Sequence, residues 1–258
     1  MDRHRHKRRP AALITGSTSG IGAAFAHLFA EKGKALVLVS ESATRLNRQQ
    51  KEIEACYPVP ILPIIRDLSD PWAPEEVVEE IQRRRWHIEI LVNSTGFNEC
   101  GDFTETNLGH ELQMIQAHIG ATTCLTKRLL PAMIERGAGK ILNVGAINSL
   151  APCPGNAVYC ATKAYILSFS EALASELNGT GVTVTTLLPG TKRTYPVGTN
   201  HVAKIGYRGL LQGRRRVVPG FHNRLMMMAA PFAPRFVNKW MTGEIGCGIA
   251  RRAHSVVS

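Results

Sequence analysis

Short apolar runs alternate with longer amphipathic segments along most of this sequence, and this alternation constrains the fold more than any other feature. Six runs of strand length are separated by segments whose apolar residues recur at helical spacing. The predicted strands are 11–15, 34–40, 59–67, 88–96, 140–146 and 182–190, and the predicted helices are 21–33, 44–57, 74–86, 107–136 and 156–178. This order indicates βαβ units, so we predict an α/β fold with a parallel sheet covered by helices on both faces.

The length and composition are typical of one domain with short tails. The chain has 258 residues, 44% of them hydrophobic, with no fixed-period repeat and no low-complexity linker. We predict a flexible basic tail over 1–10, a domain over 11–250 and a second tail over 251–258. The six cysteines form no C-x-x-C pair and no metal-ligand spacing, and no secretory signal or spanning helix is visible. We therefore expect a reduced, cytoplasmic protein without a metal site.

The segment TGSTSGIG lies between the first predicted strand and the first predicted helix. Its glycines, Gly16, Gly20 and Gly22, allow a tight turn and a close backbone approach to a pyrophosphate. The N-terminus of the helix that follows offers free N–H groups and the positive end of a dipole. This context predicts a dinucleotide site.

Glu41 follows the second predicted strand, nineteen residues after Gly22. A carboxylate at this place can hold the adenosine ribose hydroxyls, and it would repel a 2′-phosphate. No Arg or Lys lies inside TGSTSGIG to bind such a phosphate. Both features favour NAD over NADP as the cofactor, while a plain surface acid at a strand end is the alternative reading of Glu41.

Five motifs occur in one order along the chain. They are TGSTSGIG (15–22), DL (67–68), NSTG (93–96), Tyr159-x-x-x-Lys163 and PGTKRT (189–194). In sequence and order they resemble the short-chain dehydrogenase/reductase family over about residues 11–250. The resemblance implies a Rossmann-type doubly wound sheet of about seven strands in a single domain, with 192–250 covering the substrate side.

The resemblance also implies a set of cofactor-binding and catalytic residues. Those implied at the cofactor are Gly16, Ser19, Gly20, Ile21, Gly22, Glu41, Asp67, Leu68, Asn93, Gly96, Tyr159, Lys163, Pro189, Gly190 and Thr194. In the family, the tyrosine that matches Tyr159 gives or takes the hydroxyl proton of a carbonyl or alcohol substrate. A free phenol has a pKa of about 10, so we expect the charge of Lys163, one helical turn on, to favour the phenolate.

Two supporting positions depart from the family pattern. Ala146 stands where the family has a serine, and His118 stands where it usually has an asparagine. His118 is a catalytic candidate that could hold a water or transfer protons, and a packed helical histidine is the equal alternative. Ser149 could replace the lost hydroxyl, although a plain loop serine is the simpler reading. Thr95 also replaces the usual alanine of the NSTG motif.

The positive charge is concentrated near the two ends of the chain. Residues 1–10 carry a net charge of +4 and residues 192–258 a net charge of +11, against −4 for residues 11–191. No aromatic interleaving accompanies these charges, so we expect no nucleic-acid partner. Attraction of an anionic or acyl-linked substrate is one reading, and a solvated basic surface is the other. The apolar segment 213–240 fits either a substrate cover or an ordinary core or dimer helix.

Two functions from different classes follow. The first is an NAD(P)-dependent oxidoreductase that transfers hydride between nicotinamide and a hydrophobic or acyl-type carbonyl or secondary alcohol. The second is a dinucleotide-binding protein of the same fold without redox turnover, or with a repurposed cyclase, dehydratase or isomerase activity, which the changes at Ala146 and His118 keep open. The resemblance implies a homodimer or homotetramer through the helices 107–136 and 156–178.

Overall fold

Each apolar run of the sequence forms a strand in the computed structural model, which describes residues 10–150, 153–190 and 198–229. The strands are β1 (Pro10–Thr15), β2 (Ala35–Ser40), β3 (Ile61–Ile65), β4 (His87–Asn93), β5 (Gly139–Val144), β6 (Val182–Leu187) and β7 (Arg216–Val217). The helices are α1 (Gly20–Glu31), α2 (Ala43–Cys56), α3 (Ala73–Arg83), α4 (Leu108–Ile115), α5 (Ala121–Glu135), α6 (Ala157–Glu176), α7 (Thr199–Leu211) and α8 (Phe221–Ala229).

The strands form one parallel sheet in the order β3-β2-β1-β4-β5-β6-β7. The order reverses beside β1, which pairs with β2 on one side and β4 on the other. In open parallel sheets this reversal opens a crevice at the carboxyl ends of the strands. The predicted α/β fold, with a Rossmann-type sheet of seven strands, is confirmed.

Both faces of the sheet are buried, which explains why its strands are continuously apolar. Along β1, Ala12 and Ile14 pack with α1, α2 and α7 on one face. Ala11 and Leu13 pack with α3, α5 and α6 on the other face. Each helix therefore buries one apolar stripe, and the loops that leave the carboxyl ends of the strands remain free to form a site.

Several predicted elements have different bounds in the structure. The strands predicted over 59–67, 88–96, 140–146 and 182–190 end earlier, at Ile65, Asn93, Val144 and Leu187, because their last residues turn into the loops of the site. The helix predicted over 107–136 is not continuous. A π-helical turn, Gln116–Gly120, separates α4 from α5. Such a turn inserts an extra residue into a helix, often at a functional site.

The predicted tails and part of the predicted substrate cover lie outside the described residues. These parts are 1–9, 191–197 and 230–258, which include Thr194. In the ranges that the structure describes, no helix combines the length and the apolar character needed to cross a membrane.

Candidate active site

The loops that follow β1, β4, β5 and β6 meet at one edge of the sheet. Since all these strands run parallel, their carboxyl ends lie side by side. The glycine-rich loop follows β1, NSTG follows β4, Ala146 follows β5 and Pro189 follows β6. The sheet therefore gathers the glycine-rich loop, NSTG and the start of PGTKRT at one edge, and Tyr159 and Lys163 enter from α6.

The glycine-rich loop has a backbone shape that side chains would prevent. Gly16 has φ +59°, in the left-handed region, and a Cβ there would lie 2.9 Å from the Ser94 carbonyl oxygen. A Cβ on Gly22 would lie 2.2 Å from the Gly16 carbonyl oxygen. The loop packs so closely on itself and on the β4 loop that glycine is required at both positions.

The N-terminus of α1 is open for an anion. Ser19 occupies the N-cap position, yet its side chain makes no capping hydrogen bond. Gly20 begins the helix, and a Cβ added to it would meet no atom within 4 Å, while Ile21 packs toward the apolar layer below. Free helix N–H groups beside a tight glycine turn fit a pyrophosphate, as the sequence predicts.

The end of β2 carries the residues expected at the adenosine ribose. The Glu41 carboxylate is exposed, and the Arg45 guanidinium donates to it at 2.7 Å from the first turns of α2. Beneath it, the hydroxyls of Ser40 and Thr18 lie 2.8 Å apart. The ion pair partly neutralises the carboxylate on which the predicted preference for NAD depends.

The adenine side of the predicted site lies after β3. The Asp67 carboxylate accepts from the Ser69 backbone N–H at 2.9 Å, which forms a tight turn. Leu68 is buried and packs in the core beside α3. Asp67 therefore shapes the loop through this turn, and Leu68 anchors it.

The NSTG loop is held by a residue that sequence reasoning missed. The Thr15 hydroxyl accepts from the backbone N–H groups of Ser94 and Thr95, at 3.0 Å and 3.1 Å. The Asn93 side chain points into the core, where it donates to the Asn143 side-chain oxygen at 2.8 Å. The Asn93 amide belongs to this buried polar cluster, and the position of Asn93 beside the cofactor stays a prediction.

Tyr159 lies in the first turn of α6, half-buried at the catalytic edge. Burial raises the pKa of Tyr159 to about 12, and the nearby thiols of Cys160, Cys153 and Cys100 add to the shift. In the protein without a bound cofactor or substrate, the Tyr159 phenol is therefore protonated near neutral pH. It is placed as a proton donor.

Lys163 is buried one helical turn after Tyr159. Its Nζ donates to the Val144 carbonyl at 3.1 Å and lies 5.6 Å from the centroid of the Tyr159 ring. Burial lowers the pKa of Lys163 to about 8. The shift of the Tyr159 pKa is caused by burial and by the neighbouring thiols, so the expected effect of Lys163 on the phenol stays a prediction.

His118 is buried in the π-helical turn, and the structure brings it to Tyr159. The two ring centroids lie 5.8 Å apart in an edge-on arrangement. His118 Nδ1 lies 2.8 Å from the Thr162 hydroxyl oxygen, and that hydroxyl donates to the Tyr159 carbonyl at 2.7 Å. The hydroxyl has one proton, so His118 Nδ1 carries the hydrogen and donates to Thr162.

This tautomer leaves His118 Nε2 as a bare acceptor. Burial and the charge of Lys163 lower the pKa of His118 to about 2, with a weak opposing effect of the Phe97 backbone. No described residue makes a hydrogen bond of good geometry to Nε2. A neutral imidazole with one free buried nitrogen can accept a hydrogen bond from a water or a substrate hydroxyl.

The position of the family's serine is filled by Ala146, which is buried just after the end of β5. Ser149 does not replace it, because its hydroxyl donates to the Ala146 carbonyl at 2.6 Å. The neighbouring side chains Ile147, Leu167 and Leu188 form an apolar cluster. The position of the family's serine therefore has no side-chain hydroxyl, and the core next to it is apolar.

The loop after β6 closes the remaining side. The Pro189 carbonyl accepts from the Ile147 N–H at 3.0 Å, which joins the β5 and β6 loops. A Cβ on Gly190 would lie 2.5 Å from the Asn223 side-chain nitrogen of α8. Gly190 therefore lets α8, which lies in the apolar segment 213–240, pack against the loop after β6.

A second glycine permits the contact that defines the site. A Cβ on Gly96 would lie 2.3 Å from His118 Nε2, so only glycine leaves room for the imidazole. Sequence reasoning identified both residues but not their contact. It did not identify Thr162, although a polar residue three positions after Tyr159 on a predicted helix lies on the same helix face and could have been named as a site residue.

Known proteins are similar to this chain in sequence and in fold. The family model for the short chain dehydrogenase matches residues 10–202. Sulfoacetaldehyde reductase 2 from Chromohalobacter salexigens is 34% identical over 184 residues, which cover 70% of this chain and 72% of that protein.

Solved structures agree in fold. An alcohol dehydrogenase from Comamonas testosteroni, described as specific for bulky-bulky ketones, has a TM-score of 0.77 at 29% identity and covers 86% of this chain and 93% of its own. A short-chain dehydrogenase from Sphingobium yanoikuyae in complex with NADPH has a TM-score of 0.78 at 28% identity, with coverage of 88% and 94%. These similarities support a nicotinamide cofactor in general and do not support a preference for NAD.

Proposed function

Because the chain belongs to the short chain dehydrogenase family, we propose that it is a nicotinamide-dependent oxidoreductase of a carbonyl or secondary alcohol. The observation that carries the proposal is the convergence of the glycine-rich loop, Tyr159 and Lys163 on one edge of the sheet. A dinucleotide held by the loop would lie along that edge, with its reactive end directed toward Tyr159.

The residues of the cleft fit the cofactor. Gly16 and Gly22 leave the backbone uncovered, and the N-terminus of α1 has no side-chain cap. When bound, the nicotinamide ring supplies hydride transfer to or from carbon. We assign the pyrophosphate to the glycine-rich loop and the adenosine ribose to Glu41. The nicotinamide end falls to Gly96, Pro189 and Gly190, by the resemblance.

Tyr159 acts as the acid or base in this proposal. Its phenol donates a proton to the substrate oxygen during reduction and takes it back during oxidation. Lys163 contributes positive charge near the Tyr159 ring and two further N–H donors for ribose hydroxyls. His118 positions a water or the substrate through Nε2, since its low pKa keeps it uncharged.

We propose that the substrate is hydrophobic or acyl-type, with an anionic group. Ala146 has a methyl group in place of a hydroxyl, and Ile147 and Leu188 in the core next to it are apolar. The net charge of +11 over residues 192–258 would attract an anion. One relative named above is described as specific for bulky ketones and another as a reductase of sulfoacetaldehyde, which supports both halves of this proposal.

The same folded site without redox turnover is the second candidate. The absence of a serine hydroxyl at Ala146 favours it, because one positioned hydrogen bond in a transition state is worth about 10²–10³ in rate. The comparisons do not favour this alternative, since the named relatives are oxidoreductases.

The test follows the absorbance of reduced nicotinamide across a panel of ketones and alcohols. We expect weak turnover by the parent protein and none by Tyr159→Phe, which should still bind the cofactor in calorimetry. Tyr165→Phe is the matched control and should retain turnover. Tyr165 lies on the same helix as Tyr159, and the substitution removes a hydroxyl that is hydrogen-bonded to Thr123. Tight cofactor binding with no turnover on any substrate would move the assignment to the second candidate.

A further inference from the structure

A cavity of about 370 Å³ lies between α7, β7 and α8, at the β7 edge of the sheet. Its lining residues are Ile205, Arg208, Gly209, Gln212, Arg214, Arg216, Val217, Val218, Arg224 and Met227. Gly209 brings α7 close to the strand, because a Cβ there would lie 2.2 Å from a methyl carbon of Val217. This volume falls within the range of small-molecule sites, about 300–1,000 Å³.

None of these lining residues belongs to the catalytic or cofactor set. The inference below therefore goes beyond the proposed reaction. The cavity is nevertheless adjacent to the catalytic edge, because Val218 and Met227 pack with Ile147 and Leu188 in one apolar cluster. Val218 and Met227 therefore contact both the cavity and the apolar cluster beside the loop that carries Ala146.

The cavity has an apolar base and a cationic rim. Ile205, Val217, Val218 and Met227 are aliphatic or thioether side chains, which offer only apolar contacts. Above them stand the four arginines, which are all exposed. No Asp or Glu lines the cavity within the described part of the chain.

The arginines differ in how far they are already bonded. Arg216 pairs with Glu171 on α6, and Arg224 Nε donates to the Val218 carbonyl at 3.1 Å. For Arg208 and Arg214, the described residues provide no side-chain hydrogen bond or ion pair. Two exposed arginines of the cavity lining therefore have no partner within the described part of the chain, and their forks of donors match a carboxylate or a phosphate.

We propose that this cavity binds an anionic amphiphile, an apolar chain that carries a carboxylate or phosphate group. The chain lies on Ile205, Val217 and Met227, and the anion is held by Arg208 and Arg214. The positive charge of the cavity lining favours an anionic ligand over a cationic one. The C-terminal segment 230–258 contains four Lys/Arg and one acid, so its own net positive charge opposes its entry into the same site.

Calorimetry with decyl phosphate, kept below its micelle concentration, tests the proposal on the full chain without cofactor. We expect binding by the parent protein, and binding at least about tenfold weaker for the Arg208→Gln, Arg214→Gln double variant, as two charged hydrogen-bond donors are lost. Arg215→Gln is the matched control. Arg215 is the exposed neighbour of Arg214, but it lies outside the cavity and contacts Ser175 on α6.

Further probes separate the two parts of the ligand. Met227→Gln should weaken decyl phosphate binding through the base of the cavity, while inorganic phosphate and decyltrimethylammonium should both bind much more weakly than decyl phosphate. Decanoate measured beside decyl phosphate shows which anion the arginines prefer, and binding of either one supports the site. Circular dichroism checks that each variant is folded.

Four results would overturn the proposal. The first is a parent protein that binds neither amphiphile. The second is a loss of affinity in Arg215→Gln as large as in the double variant, which would indicate a diffuse charge effect. The third is binding of the cationic amphiphile or inorganic phosphate as tight as that of decyl phosphate. The fourth is displacement of decyl phosphate by saturating reduced cofactor, which would place the ligand in the catalytic cleft. Each readout is independent of turnover, so failure here leaves the proposed reaction standing.

Discussion

Single residues decide how this site differs from others of its family. His118 is neutral and hydrogen-bonded through one ring nitrogen, Lys163 is buried with a lowered pKa, and Ala146 lacks a hydroxyl. Each of these features removes or redirects one polar group near Tyr159. The chemistry of the site therefore depends on a few positions whose substitution can be tested one at a time.

Ala146→Ser should raise turnover. The added hydroxyl would give the substrate oxygen a second donor beside Tyr159, and the gain should reach about tenfold or more, toward the range typical of such donors. Steady-state kcat on the best substrate of the panel measures it. Ala157→Ser, at an exposed alanine that begins α6, is the control and should leave kcat unchanged. A lower kcat for Ala146→Ser would indicate a site rebuilt for other chemistry.

The parent protein should bind NAD(H) more tightly than NADP(H), because the Glu41 carboxylate repels a 2′-phosphate. Glu41→Arg should reverse the ratio of the two dissociation constants by about tenfold or more, with each tenfold equal to about 1.4 kcal/mol. Titration calorimetry with both cofactors measures this. Glu52→Arg makes the same charge change on α2, where Glu52 pairs with Arg48, and should leave the ratio unchanged. Equal affinities in the parent protein would contradict the role of Glu41.

Lys163→Met should raise the free energy of unfolding at pH 7. Burial lowers the folded-state pKa of Lys163 to about 8, from an ordinary lysine value of 10.5. Between these values the unfolded chain binds more protons, so the parent protein gains stability as the pH rises from about 8 toward 10. Below pH 8 the buried charge costs up to about 3 kcal/mol, less whatever the Val144 hydrogen bond returns.

Urea unfolding at pH 7 and pH 9.5 measures this difference. The advantage of Lys163→Met should shrink at the higher pH, since the parent lysine is then largely neutral in the folded state. Lys127→Met, at an exposed lysine of α5, should show no such dependence on pH. A constant advantage at both pH values would mean that the folded-state pKa is not lowered.

At the scale of elements, the π-helical turn and the β4 loop form one unit. The turn between α4 and α5 places His118 in the space that Gly96 leaves open, and α6 supplies Thr162 on the other side of the ring. Three elements distant in sequence thus fix one imidazole. A substitution in any of these elements should therefore change the packing of the other two.

Gly96→Ala should destabilise the protein by about 1–3 kcal/mol, because the new methyl would overpack the His118 ring. The same substitution in a His118→Ala background should cost much less, since the clash is gone. Urea unfolding of the four proteins gives the coupling between the two positions. Gly198→Ala, where a Cβ meets nothing within 4 Å, is the control: it should cost about 1 kcal/mol or less, because glycine is preferred to alanine at the N-cap of α7, and the cost should be the same with and without His118→Ala. Additive effects at positions 96 and 118 would disprove the contact.

At the scale of the whole molecule, the exposed face of α4 bears on the predicted oligomer. Leu108, Leu112 and Ile115 follow one another at helical spacing and are 67%, 56% and 37% exposed. An apolar stripe of this kind is typical of a surface that pairs with another. We expect it to contribute to the homodimer or homotetramer that the family resemblance implies.

Leu112→Lys should shift the protein toward monomer, because a charge at the centre of the stripe would be buried without a partner. Light scattering during size-exclusion chromatography measures the mass across a range of concentrations. Ile65→Lys, at an exposed apolar residue on the edge strand β3, is the matched control and should leave the mass unchanged. A parent protein that is monomeric at all concentrations would refute this assignment.

Local patterns in the sequence determined the fold and the outline of the site. The apolar runs form strands because both faces of a buried parallel sheet are apolar. Their alternation with helices indicated βαβ units and therefore a parallel α/β sheet. The glycine-rich loop and the Tyr159 and Lys163 pair were predictable because each depends on residues within one or two turns of each other. Conformation at such separations is set by backbone geometry and helical spacing.

The tertiary structure alone decided the contacts between residues distant in sequence. The meeting of His118 with Gly96 and Thr162, the inward turn of Asn93 and the cavity at Arg208 and Arg214 each join segments from different elements. Helical periodicity over 107–136 gave no sign of the π-helical turn, because one extra residue hardly disturbs the pattern of apolar positions. Such features depend on close packing in three dimensions, where a missing Cβ or a buried nitrogen has a consequence that no local pattern records.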